Sequence, residues 1–405
     1  MKIQASERRL DRRGFLKGIA VSAGALAAGW PAVAAAATPR LSGMIKIGVL
    51  LPFTGPSALS AQEHFNGSLL YLKMAGGTLN GMAVQLVRED DQFDPSVGLQ
   101  KAQKLVESSR VDITVGIGSS AVALAVRDYY DRSKQPLVIT IASANEVTQQ
   151  PSKYIFRISV GAWQNSYPLG AWAFKNVGKS VLTLAPNYAM GKQFTTGFEE
   201  AFAKAGGKVV DRIFPPIGTT DFAPFLSAVR ASSADCVWGA FSSSDALNFV
   251  KQYAQYGLKE RLPLIGVGHM VSNDVLPAEG RAALGIRTNY HWAPALDNPV
   301  NRRFVWAYER EYKIKPSPFA MYGYDAIQIV HKALLATHGD KSAESLATAL
   351  VGVRLESPRG PLTIDPTSHN VTLRQYLLEV RETKDGLDNV PLMVLGTYTD
   401  RQQVS

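Results

Sequence analysis

The strongest constraint on the fold is an alternation, from Met44 onward, of short apolar runs rich in β-forming residues with longer amphipathic stretches. Parallel sheets covered by helices produce this pattern, because each strand is followed by a crossover that returns the chain to the same sheet. The alternation occurs in both halves of the chain. The sequence therefore predicts an α/β protein with two doubly wound, Rossmann-like lobes.

The first half is predicted to contain strands at 45–52, 84–89, 113–117 and 137–142 and helices at 62–75, 96–108 and 122–132, and the second half starts after residues 156–159. The second half is predicted to contain strands at 181–185, 209–214, 236–241 and 264–267 and helices at 191–204, 222–231 and 246–256. The turn sequence Asp297-Asn298-Pro299 then precedes two more predicted helices, at 301–312 and 324–337.

Residues 1–37 are predicted to be a signal peptide of the twin-arginine type. A basic stretch ends in R-R-G-F-L-K (12–17), an uncharged segment runs from Gly18 to Pro39, and small residues at 33–37 offer a cleavage site. A retained membrane anchor is the alternative, because the segment is long enough to span a bilayer. Pro31 and a scarcity of Leu, Ile and Phe make it weakly hydrophobic, which favours cleavage. We expect export by the Tat machinery and a periplasmic protein.

Charge and cysteine content exclude several classes of function. The formal charge is +9, and removal of residues 1–37, with six basic and two acidic side chains, lowers it to +5. No basic stripe follows the leader, so we expect no nucleic-acid partner. Cys236 is the only cysteine, which excludes an intramolecular disulfide and a cysteine-based zinc cluster. No cofactor is predicted.

Four stretches, in this order and spacing, carry a resemblance to a known family: I-K-I-G-V-L-L-P-F-T-G-P (45–56), V-G-I-G-S-S-A-V-A-L-A-V (115–126), T-D-F-A-P-F-L-S-A-V-R-A (220–231) and M-Y-G-Y-D-A (321–326). From about Ile45 to Tyr398, the chain resembles the type I periplasmic binding proteins of ABC importers. The resemblance is to the leucine-binding-protein-like branch, which binds branched-chain amino acids and aromatic acids.

This resemblance implies two lobes joined by three crossover segments, with a ligand held at the carboxyl ends of the sheets and delivered to an ABC permease in the inner membrane. It implies that lobe one comprises residues 44–159 and 294–360, and that lobe two comprises residues 160–293 and 361–400. We expect the lobes to close around the ligand by a hinge motion.

The segment from Gly116 to Ala121 follows a predicted strand and begins a helix. The unpaired N–H groups and the dipole of a helix N-terminus attract an anion, so a carboxylate ligand is expected here. In the resembling family a serine of this turn binds the ligand carboxylate, which implies Ser119 and Ser120. The alternative is that one serine only caps the helix.

The same segment matches the dinucleotide pattern G-x-G-x-x-A. The glycines follow the third predicted strand rather than the first, and the next strand ends without the acidic residue that holds a ribose hydroxyl. Nucleotide binding is therefore disfavoured.

Further cleft residues are predicted on both lobes. In lobe one they are Phe53, in the first resembling stretch, and Ala142 and Ser143, which match a turn that binds the ligand's polar end in the family. This chain has Ala144 where the family usually has threonine in that turn. In lobe two, apolar or aromatic contact with the ligand body is predicted for strand-end residues, which could equally be core: Tyr188, Met190, Trp238, Phe241 and His269.

Amino-acid binders of the resembling family use a glutamate after the strand that here ends at Gly266 and Val267, to neutralise the ligand's ammonium. His269 occupies that neighbourhood, and the nearest carboxylate is Asp274. A buried, unpaired ammonium is costly. The sequence therefore favours a small carboxylate ligand without an ammonium group, with aromatic acids as the leading class.

Several alternatives remain open at this point. They are a branched-chain amino acid ligand and a ligand-sensing receptor of the same fold. An enzyme is disfavoured, because there is no G-x-S-x-G elbow or H-E-x-x-H pair and the six histidines are scattered.

Overall fold

The computed structural model describes residues 41–55, 57–150, 152–400 and 402–404 of the chain. The predicted signal peptide lies outside these residues. Among them, no helix is both long and apolar enough to cross a membrane.

The first sheet has six strands, in the order β2-β3-β1-β4-β5-β6, and every pair is parallel except β2 with β3. These strands are β1 (Met44–Leu51), β2 (Thr78–Leu79), β3 (Met82–Asp90), β4 (Ile113–Gly116), β5 (Leu137–Ile139) and β6 (Ile155–Arg157). The helices between them are α1 (Ala58–Met74), α2 (Pro95–Gln103), which continues as a π-helical turn over Lys104–Ser108, and α3 (Ser120–Ser133). A 3-10 turn, Asn145–Thr148, precedes β6.

The second sheet has ten strands, in the order β12-β13-β14-β11-β10-β9-β7-β8, with β15 paired to β14 and β16 to β15. The parallel strands are β7 (Ser180–Leu184), β8 (Lys208–Ile213), β9 (Cys236–Gly239), β10 (Leu264–Val267) and β11 (Arg287–Tyr290). The antiparallel strands are β12 (Arg354–Ser357), β13 (Gly360–Ile364), β14 (Val371–Thr383), β15 (Gly386–Thr399) and β16 (Gln402–Gln403).

The helices that follow β6 are α4 (Tyr167–Asn176), α5 (Ala189–Lys204), α6 (Ala223–Ala231), α7 (Ser243–Gln255), α8 (Leu276–Glu279), α9 (Pro299–Tyr312), α10 (Pro318–Ala336) and α11 (Ala343–Leu350). Short 3-10 turns lie at Gly268–Val271 and Gly280–Ala282. Local sequence sets several helix starts. The side chains of Asn298 and Ser317 cap α9 and α10, and a proline follows each cap, which pre-forms the first helical turn.

Helices from the last third of the chain return to the first sheet. Ile327 and Val330 of α10 pack in one buried cluster with Ile47, Val49 and Val115 of β1 and β4. We use "lobe one" for the first sheet with its packed helices and "lobe two" for the second sheet with its helices. The prediction of an α/β protein with two doubly wound lobes is confirmed. The predicted residue boundaries of the lobes stay a prediction.

The strand β14 runs between the two lobes. Val371 and Leu373 at its start lie in the core of lobe one, whereas Val380 lies in the core of lobe two. Gln164, just after the first crossover, donates from Nε2 to the carbonyls of Val371 at 2.9 Å and Tyr398 at 3.0 Å. The crossover segments are therefore hydrogen-bonded to one another.

Arg157, at the end of β6, forms the centre of this junction and is fully buried. Its Nε donates to Asn370 Oδ1 and its Nη1 to the carbonyl of Ala144, both at 2.6 Å. Burial lowers the pKa of Arg157 to about 10, and Asp400 opposes that shift, so the side chain stays charged at neutral pH. A buried charge persists only where partners offset it, and here these are the loop before β6, the segment before β14 and, 4.0 Å from Nη2, the carboxylate of Asp400.

The helices α1 and α10 approach closely through two glycines. A Cβ at Gly323 would lie 1.8 Å from the carbonyl oxygen of His64, and one at Gly67 would lie 1.9 Å from that of Ala320. Backbone atoms of packed helices cannot move aside as a side chain can. Glycine at 323 is therefore a packing requirement.

We expect Gly323→Ala to lower the free energy of unfolding by about 2–3 kcal/mol, because the methyl group overpacks the α1–α10 contact. Helix propensity alone would give the opposite sign, a gain of about 1 kcal/mol. Urea unfolding followed by circular dichroism measures the difference. An unchanged or raised midpoint would contradict the close packing.

Candidate ligand-binding cleft

The turn after β4 is tight. Gly116 has φ +127°, and a Cβ there would lie 2.4 Å from the carbonyl oxygen of Leu50. The next residue, Ile117, has φ +66°, a conformation that a β-branched residue rarely adopts. Strain of this kind persists only where the surrounding structure fixes it, and it is common at binding sites. The turn brings Ser119 and Ser120 to the carboxyl edge of the first sheet.

These two serines make different contacts. Ser119 caps α3, since its Oγ accepts from the N–H of Val122 at 3.5 Å. Ser120 Oγ instead accepts from the N–H groups of Ser143 at 3.3 Å and Ala144 at 3.1 Å. The hydroxyl of Ser120 therefore joins the tips of β4 and β5.

Four of the predicted ligand residues meet at this edge of lobe one: Ser119, Ser120, Ala142 and Ser143. Ser143 Oγ donates to the carbonyl of Ile141 at 3.0 Å. The first N–H groups of α3 have no intrahelical partners, as at any helix N-terminus. The contact of these four residues with a ligand stays a prediction.

Phe53 follows β1 at the same edge of the sheet and is 8% exposed. The guanidinium of Arg88 lies 3.6 Å from the centre of its ring, and Phe65 packs edge-on at 6.0 Å. Much of the Phe53 ring is therefore already in contact with the protein.

In lobe two, Tyr188 ends the loop between β7 and α5 and is half-buried. Burial, with a smaller contribution from Asp245, raises the pKa of Tyr188 to about 12, so the phenol stays protonated at neutral pH. Met190 is half-buried and packs against the core of lobe two.

His269 lies in the 3-10 turn after β10 and is half-buried. Its ring packs edge-on against Tyr290 at 4.9 Å and lies 6.2 Å from Phe194. Burial lowers the pKa of His269 to about 4, so its imidazole is neutral at neutral pH. A neutral imidazole can exchange a hydrogen bond with a ligand, but it does not supply a positive charge to a second anionic group.

Two predicted ligand residues of lobe two pack within its core. Trp238 is fully buried and stacks on Phe198 at 4.8 Å with the planes 13° apart. Phe241 is 1% exposed and packs against Phe249 at 4.6 Å. Their contact with a ligand stays a prediction, and the core packing is the alternative role that the sequence left open.

Glu63 on α1 of lobe one and Asp274, just before α8 of lobe two, interact electrostatically. Burial, opposed by a hydrogen bond from Ser317 and helped by Asp274, raises the pKa of Glu63 to about 7. Burial also raises the pKa of Asp274. Asp274 therefore lies near an acidic side chain of the other lobe.

Polar contacts between side chains join the lobes at several places, among them Tyr322 Oη of α10 and His291 Nε2 after β11, 2.8 Å apart. Gln193 of α5 hydrogen-bonds to Asn145 and Glu146 of the 3-10 turn after β5. Lys315, before α10, forms an ion pair of 2.9 Å with Asp388 at the start of β15. Sequence reasoning missed these residues and Arg157, because their partners lie tens to hundreds of residues away and no local pattern marks them.

A family model described as periplasmic binding protein matches residues 44–386, most of the chain. The chain belongs to the periplasmic binding protein family. Members and close structural neighbours are described as binding proteins rather than enzymes.

A curated relative from Brucella suis, named Leu/Ile/Val-binding protein homolog 6, is 34% identical over 360 residues, which cover 87% of this chain and 91% of that protein. A solute-binding protein of an ABC transporter from Rhodopseudomonas palustris, in complex with 3,4-dihydroxybenzoic acid, is 32% identical with a TM-score of 0.83, over 89% of this chain and 99% of that chain. Another from R. palustris, in complex with benzoate, is 31% identical with a TM-score of 0.80, over 87% and 96% of the two chains.

Within the described residues, no group of three or more His, Cys, Asp or Glu side chains could hold a metal ion.

Glu279, at the end of α8, is a deeply buried carboxylic acid. It is 3% exposed, and neither carboxylate oxygen has a hydrogen-bond partner among the described residues. Burial, with a contribution from Asp274 and opposed by Lys251, raises the pKa of Glu279 to about 8.

We expect Glu279→Gln to stabilise the protein in a pH-dependent way. The folded protein keeps a proton on Glu279 up to about pH 8, whereas the unfolded chain releases it near 4.5. Glu279 therefore costs no stability below pH 4.5, and the free energy of unfolding falls as the pH rises from 4.5 to 8. The free energy of unfolding of the variant should equal that of wild type near pH 4.5 and should exceed it by a few kcal/mol near pH 8.

Denaturant unfolding across this pH range measures the difference between the two proteins, with Glu260→Gln at an exposed glutamate as the control. A difference that stays constant with pH would contradict the buried, protonated state of Glu279.

Proposed function

We propose that the chain is the exported solute-binding component of an ABC importer, and that it captures an aromatic carboxylate between its two lobes. The observation that carries this proposal is the α3 edge of lobe one. There a strained turn and a helix N-terminus place the hydroxyls of Ser119 and Ser120 beside the first N–H groups of α3, and Ser120 Oγ fixes this turn to the tip of β5. Donors that are fixed in advance bind a carboxylate without the cost of ordering them.

The opposite wall supports a ring as the ligand body. Tyr188 and His269 follow strands of lobe two, and His269 packs against Tyr290 with its imidazole uncharged at neutral pH. Aromatic walls with one or two hydrogen-bonding groups suit a flat apolar ligand that carries a polar substituent. The R. palustris neighbours in complex with 3,4-dihydroxybenzoic acid and benzoate support the same ligand class.

Residues 1–37 are proposed to direct export through the Tat machinery and to be removed in the periplasm. The loaded protein would then deliver its ligand to an ABC permease in the inner membrane. A sensing role with the same fold is the alternative, and neighbouring permease and ATPase genes would favour uptake over sensing.

A branched-chain amino acid is the second candidate ligand, and one observation favours it. Asp274 lies in the interlobe region with a raised pKa, so an ammonium group beside it would gain a partner. The Brucella suis relative carries a Leu/Ile/Val-binding name. Against this candidate, the Asp274 carboxylate comes several residues after the position where His269 stands.

Isothermal titration calorimetry with benzoate, 4-hydroxybenzoate, phenylacetate, hydroxycinnamates, leucine and valine tests the proposal. We expect an aromatic acid to bind with a micromolar or tighter Kd, about −8 kcal/mol or more, and leucine to give no heat. Tight leucine binding together with no response to any aromatic acid would overturn the aromatic assignment.

The variant Asp274→Asn separates the two candidates. If the ligand has no ammonium, the substitution should change the Kd of the best aromatic acid by less than about threefold, since it removes no charge partner. If the ligand is an amino acid, the lost ion pair should weaken leucine binding by a hundredfold or more.

A further inference from the structure

Gln193 contacts lobe one through both ends of its side-chain amide. Its Oε1 accepts from the backbone N–H of Asn145 at 3.1 Å, and its Nε2 donates to both carboxylate oxygens of Glu146, at 2.6 and 2.8 Å. We call these three hydrogen bonds the Gln193 clasp. Every bond of the clasp crosses from α5 in lobe two to the 3-10 turn after β5 in lobe one.

The clasp hydrogen-bonds to the β5–β6 loop, which also contains the predicted ligand residues Ala142 and Ser143. Asn145 directly follows Ala144, whose N–H is bound by Ser120 Oγ and whose carbonyl is bound by Arg157. This loop is therefore fixed to lobe one on both sides. Because Tyr188 precedes the same helix as Gln193, movement of α5 also moves a predicted ligand residue on lobe two.

Little packing replaces the clasp on this side of the molecule. A groove of about 440 Å³ lies beside it, lined by Asn145, Trp163, Lys192, Gln193, Thr196, Gly197 and Glu200. Asn145 is 5% exposed, so its N–H loses its partner when the lobes separate unless water enters. Hydrogen bonds, two of them to a charged acceptor, therefore carry this contact between the lobes.

We propose that the Gln193 clasp sets the equilibrium between the open and closed lobes, and so acts as a positioning element for ligand affinity. Gln193 needs no contact with the ligand for this effect. A protein whose binding-competent state is less populated binds with a weaker apparent Kd. This role rests on the proposed function, because a closing cleft is what links the clasp to affinity.

The ion pair of Lys315 and Asp388 is another contact between the lobes. Lys315 is 35% exposed and its partner Asp388 is largely buried, so salt screens the pair only in part. The clasp differs in kind, because its central bond comes from the backbone N–H of the buried residue Asn145, while its two bonds to Glu146 lie at an exposed position.

A swap of the two side chains tests the clasp. In Gln193→Glu, two carboxylates face each other, and the donor to Glu146 is lost. We expect the Kd for 4-hydroxybenzoate to rise about tenfold or more, mainly through faster dissociation. Glu146→Gln replaces a charged acceptor with a neutral one and should cause a smaller loss.

The double variant Gln193→Glu/Glu146→Gln exchanges donor and acceptor and should recover most of the wild-type affinity, because a carboxylate at 193 can accept from both Asn145 N–H and the new amide at 146. Thr196→Ala is the matched control: it lies one turn along α5 beside the same groove, and its hydroxyl bonds only within the helix, to Lys192. Stopped-flow dissociation and calorimetry give the affinities and rates.

Small-angle scattering of the ligand-free protein separates failure of the clasp from failure of the ligand assignment. Gln193→Glu should enlarge the radius of gyration or weaken ligand binding, and the double variant should reverse the change. If no acid binds but the swap reverses a change in scattering, the clasp stands and the ligand assignment fails. The clasp is overturned if Gln193→Glu, Glu146→Gln and the double variant all have the Kd and the scattering profile of wild type. It is also overturned if the double variant binds the ligand no more tightly than Gln193→Glu.

Discussion

The carboxyl ends of parallel strands all lie at one edge of a sheet, and this constraint determines where such a molecule can hold a ligand. In lobe one the edge is shaped by backbone geometry more than by large side chains. Gly116 permits the turn, Ile117 holds it in a left-handed conformation, and Ser120 fastens the neighbouring strand tip. The result is a rigid turn on lobe one, and the proposed function has the ligand lie between this turn and the aromatic and imidazole side chains of lobe two.

The connection between the lobes is built from the same loop. Arg157 holds the carbonyl of Ala144 and the side chain of Asn370, so a buried cation joins the ligand loop to the crossover segments. Gln193 holds the next residue of that loop from lobe two. Under the proposed function, binding and closure act on this one short segment, so a ligand that fixes the segment would also favour the closed arrangement.

The sequence predicted the parallel strands and most helices well, because their apolar periodicity is local. It missed the hairpin of β14 and β15: the middle of β14, from Gln375 to Leu378, is buried on both faces where the strand passes between the lobes, so the two-residue alternation is lost. Trp238 and Phe241 pack in the core of lobe two, and the sequence could not show this, because strand-end aromatics carry no signal for which face they occupy. Gln193 was not identified, since its partner at Asn145 is distant in sequence and only the folded chain brings them together.

A crystal structure of the protein grown with 4-hydroxybenzoate tests the central claim most directly. We expect the ligand carboxylate to lie within about 3 Å of N–H or hydroxyl groups in the Ser119–Ser120 and Ser143–Ala144 turns, with the ring between the lobes. A ligand bound only elsewhere would contradict it. One such place is the cavity of about 400 Å³ near Thr148, Lys153 and His369.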